Sequence, residues 1–199
     1  LLVSLEQNIK EVLAMGILLA FAPWILFWIL ASNDTFRVAI FAALISTVVI
    51  NIRYIAERKV KVLDLGTMIF FALLSGVSLF ADPPWLEQWV HVLGNLALTV
   101  IALVSIAIGK PFTIQYAKEQ VAEQYWNTPQ FLSTNLRITW VWFATFAVQT
   151  VSSAITIIHP QHETWLSWVI PTGAFVAAIK FTAWYPQHVK EARQRLKES

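Results

Sequence analysis

Six apolar stretches, each close to the length that crosses a bilayer, constrain this chain more than any other feature. They cover residues 12–31, 35–54, 62–80, 86–108, 135–158 and 164–184, and about 20 residues of helix span about 30 Å of hydrocarbon. In lipid the backbone must satisfy its own hydrogen bonds, and strand-like alternation is missing, so the prediction is an all-α polytopic membrane protein with six transmembrane helices. Composition agrees: 57% of residues are hydrophobic and only 13% charged, against roughly a quarter charged in soluble domains. The chain begins at Leu1 without a Met, so a few leading residues are expected before it. Residues 1–11 hold neither a basic n-region nor a small-residue cleavage site, and the first apolar stretch is read as a permanent anchor.

Charge placement orients these helices. Lys10, Arg53, Arg58, Lys59, Lys61, Lys110, Lys118, Arg137, Lys180, Lys190, Arg193, Arg195 and Lys197 all fall on one side, whereas Arg37, Asp34, Asp82, Glu87 and Glu163 fall on the other. The positive-inside rule then places both termini in the cytoplasm. Trp28, Trp85, Trp89, Trp165 and Trp168 lie near the outer boundary and Trp140, Trp142 and Trp184 near the inner one, as interfacial belts do. Lys180 sits close enough to its helix end to snorkel. Pro23 and Pro171 should kink the first and last spans, and Ser75, Gly76, Ser78, Ser152, Ser153 and Ala154 allow close helix approach, which permits a homodimer.

The longest interruption between spans, residues 110–134, reads as an amphipathic cytoplasmic connector. Gly109-Lys110-Pro111 is helix-stop chemistry, and Trp126-Asn127-Thr128-Pro129 makes a second break. Between them, Phe112, Ile114, Tyr116, Val121 and Tyr125 alternate with Lys118, Glu119, Gln120, Glu123 and Gln124. Such a segment either lies on the bilayer surface or re-enters to pack on neighbouring helices. Lys110, Pro111, Phe112, Tyr116, Lys118, Tyr125 and Trp126 are its candidate docking residues. A basic tail, 186–199 with His188, follows the last span and suits anionic headgroups.

Polar residues inside the spans form one candidate cluster. His91 and Asn95 stand one turn apart, with Glu87 a turn beyond. At 1.5 Å rise per residue, Asn95 and Gln149 come to a similar depth, roughly 13 Å below the outer boundary. His91, Asn95, Gln149 and Ser153 could therefore meet, either as a polar path or as interhelical hydrogen bonds that fix the bundle. His159-Pro160-Gln161-His162-Glu163 is too short a turn to present three metal ligands well. With no Cys, thiolate sites and disulfides are excluded. No phosphate-binding glycine loop, nucleophile elbow or zinc-protease helix occurs, so no enzyme, metal or cofactor is expected, and no nucleic-acid partner.

From Arg53 to Arg193 the ordered features resemble the bacterial intracellular septation protein A family of inner-membrane proteins. The features are Arg58-Lys59-Val60-Lys61, the run from Leu73 through Ser75-Gly76-Val77-Ser78 to Phe80, Trp85 and Trp89, Gly109-Lys110-Pro111-Phe112 with Gln115, and Asn135-Leu136-Arg137 with Trp140, Trp142 and Phe143. The family's Asn-Phe-Lys in the last helix is missing after Trp165 and Trp168, and Tyr116-Ala117-Lys118-Glu119 is more elaborate than its counterpart. The resemblance implies a non-enzymatic protein of the bacterial inner membrane, linked to septation or envelope maintenance through division or envelope-synthesis partners. The alternative is a small channel or transporter with its path beside His91, Asn95 and Gln149.

Overall fold

A computed structural model describes residues 19–31, 34–80 and 85–198, with the side chains of 193, 194 and 196–198 left aside. The described chain is all-α. Its helices are α1 (Leu19–Leu30), α2 (Phe36–Ala56), α3 (Val62–Phe80), α4 (Trp85–Ala107), the short α5 (Phe112–Ala117), α6 (Pro129–Ile158) and α7 (Ile170–Glu198). A π-helical turn, Thr164–Val169, leads into α7. Among the described residues five helices, with α7 counted from that turn, are long and apolar enough to cross a membrane, as a multi-pass membrane protein requires. Residues 12–18 of the expected first span, Lys10 and Asp82 fall outside the described residues, as do the side chains of Arg193 and Lys197.

Helix ends follow local chemistry. At the end of α4, the Lys110 N–H reaches Ser105 O (2.9 Å) and the Gly109 N–H reaches Ile106 O (3.0 Å), with Gly109 at φ +69°. That is a Schellman ending, which needs a left-handed residue and usually recruits Gly. The end of α2 has the same pattern, Lys59 N–H to Tyr54 O and Arg58 N–H to Ile55 O. Here the left-handed position holds Arg58, at φ 54°. A left-handed conformation costs an L-residue with a Cβ about 1–2 kcal/mol. Arg58→Gly should therefore raise the stability of the purified protein by about 1 kcal/mol. Thermal unfolding in detergent would show an upward midpoint shift, and an unchanged or lower midpoint would refute the strain.

At the start of α6, the Thr128 hydroxyl accepts from Phe131 N (3.3 Å) and Pro129 occupies the first turn. Pro at that position sacrifices no intrahelical hydrogen bond. The helix therefore begins six residues before the expected 135, and the connector proper ends at Thr128. The expected tail is no separate segment either, since α7 runs without interruption through Pro186.

Packing within lipid gains little from hydrophobic burial, because tails and side chains are equally apolar. Ring contacts and interhelical hydrogen bonds do more here. Phe21, Trp24 and Phe27 of α1 are almost fully buried, so α1 is central. Phe21 stacks on Trp142 (5.0 Å) and meets Phe175 edge-on (5.6 Å), while Trp24 stacks on Phe70 (5.0 Å). Each such pair adds about 0.5–1.5 kcal/mol. The Trp24 indole N–H also donates to Thr67 Oγ1 (3.0 Å). Gly94 makes room for this indole, whose ring would lie 3.3 Å from a Cβ there. Trp142, expected in an interfacial belt, is fully buried and donates to Thr182 Oγ1 (3.0 Å). Trp140 is exposed. Around this centre α4 packs along α6, α6 along α7, α2 along α3, and α3 along α4.

Candidate functional site

Two polar regions stand out, one within the helices and one where the connector meets the bundle. The first follows the α4–α6–α7 interface. Asn95 Nδ2 donates to Ser153 Oγ (2.9 Å) and lies 3.5 Å from Gln149 O, and Gln149 Nε2 donates to Pro171 O (3.2 Å). Thr99 and Thr150 hydroxyls pair one turn on (3.1 Å). Asn95, Gln149 and Ser153 thus come together. His91 does not: among the described residues no hydrogen bond joins it to the other three.

Pro171 explains why polar groups gather here. The preceding π turn bonds each N–H to the carbonyl five residues back, as Ile170 N–H does to Trp165 O. In that register the next N–H, at 171, would reach Leu166 O, but proline has none. The Ser152 hydroxyl fills the gap by donating to Leu166 O. Thr156 and Ser167 hydroxyls, 3.2 Å apart, reinforce the same turn. The expected kink at Pro171 is therefore a change of helical register, stitched to α6 by serines.

The second region corrects the docking assignment. Pro111, Phe112 and Tyr116 are buried, Phe112 and Tyr116 almost completely. Helix α5 turns back into the bundle against α4 and α6. The Thr113 hydroxyl is 2.7 Å from Thr139 Oγ1 and donates to Asn135 O (2.9 Å), and Phe112 N–H reaches Ser105 Oγ (3.2 Å). An amphipathic segment this short cannot expose its aromatics to water cheaply, and the α4–α6 crevice offers both apolar cover and hydroxyl partners. Of the seven proposed docking residues, Lys110 and Tyr125 remain exposed, and Lys118 and Trp126 are half-buried. Comparison with family models, with curated proteins and with solved structures gave no match. The site is accordingly read from its own geometry.

A charged cluster fastens α5. Lys61 Nζ forms an ion pair with Glu119 (2.9 Å) while lying over the rings of Tyr116 (4.2 Å) and Tyr54 (4.5 Å). The Tyr54 hydroxyl donates to Glu119 Oε1 (2.8 Å), and Gln115 Oε1 accepts from the Val62 N–H (2.7 Å). Beneath them Asp64 is buried, with Lys61, Tyr116 and Asn51 close by. The Tyr116 hydroxyl faces Asp64 without completing a hydrogen bond of normal geometry. Burial first, and Asp64 second, hold that phenol protonated well above the ordinary tyrosine range. Outside, Glu57 is held below the usual carboxylate range by its hydrogen bonds to Arg53 and Lys59.

Sequence reasoning counted Lys61 among the topological charges and passed over Asp64. The available signal was a carboxylate two residues inside an apolar stretch, three after a lysine. An ionisable group in such a place marks a site by default, because its burial needs a partner. Among the described residues no group of three or more His, Asp or Glu could hold a metal ion.

Proposed function

We propose that this is a non-enzymatic, multi-pass protein of the bacterial inner membrane, with six spans and both termini cytoplasmic, that presents its connector as a fixed docking platform for envelope partners. Its setting, septation or envelope maintenance, follows from the resemblance in the ordered features of residues 53–193. The observation that carries the reading is the construction of the connector tip. The Trp126 indole N–H donates to Val121 O (2.7 Å), and Lys118 Nζ covers the same ring at 5.0 Å. The Thr128 hydroxyl donates to Tyr125 O (2.8 Å), which leaves the Tyr125 ring exposed on a loop braced from within. A surface loop held by its own side chains, on a base clasped to the bundle, loses little entropy when a partner binds. The channel or transporter alternative is weakened because, among the described residues, no hydrogen bond links His91 to Asn95 or Gln149.

The test is complementation. A strain lacking the protein should show a division or envelope defect that the wild-type chain corrects. Tyr125→Ala with Glu123→Ala, present in the membrane at the wild-type level, should fail to correct it. Full correction by that variant would remove the platform from the mechanism.

A further inference from the structure

The level of Asn95 and Gln149 has an excess of acceptors. Asn95 Oδ1 and Gln149 Oε1 are both buried, and no donor among the described residues reaches either. Neither amide can be turned over to relieve this. A flip would set oxygen against a backbone carbonyl in each case, Asn95 Oδ1 against Gln149 O and Gln149 Oε1 against Pro171 O. Four neighbouring hydroxyls already have backbone carbonyls as acceptors. Thr99 donates to Asn95 O, Thr150 to Phe146 O, Ser152 to Leu166 O and Thr156 to Ser152 O.

We propose that this level of the α4–α6–α7 interface is a binding site for a small uncharged molecule bearing O–H or N–H donors. Two fixed acceptor oxygens select a donor. The absence of a carboxylate among their hydrogen-bond partners selects a neutral one, since an unpaired cation there would forfeit its hydration without a counter-charge. Size is limited by the surroundings. One turn towards the connector, Leu98 and Phe146 are fully buried. The neighbouring π turn fits this assignment, because such turns occur mostly where a helix has been adapted to a function. The site lies apart from the connector tip, so it stands or falls independently of the docking platform.

The lack of native cysteine makes the test direct. Ser153→Cys and, as a dry control, Leu98→Cys would be exposed to methyl methanethiosulfonate, which is uncharged, and to its trimethylammonium-ethyl analogue. Thiolate attacks the sulfenyl sulfur of these reagents and expels methanesulfinate, and thiolate forms only where water or a polar guest reaches the sulfur. Ser153→Cys should react with the uncharged reagent at least about tenfold faster than Leu98→Cys, and should resist the cationic one. Formamide, a small neutral N–H donor, should slow the reaction, and adding Asn95→Leu should abolish that protection. Thr150→Cys repeats the measurement should Ser153→Cys fold poorly. Reaction no faster than Leu98→Cys would mean a dry seam and overturn the site. Reaction with the cationic reagent, or indifference to formamide, would overturn its selectivity for a neutral donor.

Discussion

Replacing Lys61 with Met is expected to destabilise the bundle by about 3–5 kcal/mol, the range for removing one partner of a buried charge pair. The lysine is 8% exposed and Asp64 4%. Glu119 is not the main loser, since its side chain is 38% exposed and water can replace the bond. The cost falls on Asp64, left buried beside the Tyr116 hydroxyl and Asn51. Lys61→Met combined with Asp64→Asn should therefore recover most of the loss, and Glu119→Gln alone should cost about 1 kcal/mol or less. Unfolding by SDS in mixed micelles, with Asp64→Asn alone completing the cycle, would give all five stabilities. If the Lys61 and Asp64 effects simply add, the two charges are not coupled, and the connector is held by packing alone.

Ser152→Ala should cost about 1–3 kcal/mol, far more than an exposed serine would, because it orphans Leu166 O within the membrane. The informative comparison is the same change in a Pro171→Ala background. Alanine restores the N–H that proline lacks, and Leu166 O then regains a backbone donor. In that background the Ser152→Ala cost should fall to a few tenths of a kcal/mol. Equal costs in both backgrounds would show that the serine acts through packing, and that the register change at Pro171 does not depend on it.

Much of the architecture was legible beforehand for local reasons. Run length and the satisfaction of backbone hydrogen bonds require apolar helices whatever their neighbours are. Helix ends are decided within five residues: Gly109 and Pro111 stop α4 where the sequence indicated, whereas Thr128 with Pro129 starts α6 six residues before the expected 135. The chance that Asn95, Gln149 and Ser153 would meet could be read from depth alone, because helical rise converts residue number into height.

What only the tertiary structure decided is which way each side chain faces. In water, the buried face of a helix is the apolar one. In lipid both faces are apolar, so periodicity no longer separates inside from outside. For that reason Trp142 could pass for a belt residue while lying at the centre against Phe21, and Phe112 and Tyr116 could pass for a docking surface while turned inward, Phe112 beside Ser105 of α4 and Tyr116 beside Lys61 and Asp64. Lys61 could pass for one more topological charge because its partner Glu119 lies in another segment of the chain, brought to it only when α5 folds back. Sequence determined the helices and their ends, since those depend on neighbours along the chain. The fold determined the faces, since those depend on contacts between residues forty or more positions apart, such as Trp24 with Thr67 and Asn95 with Ser153.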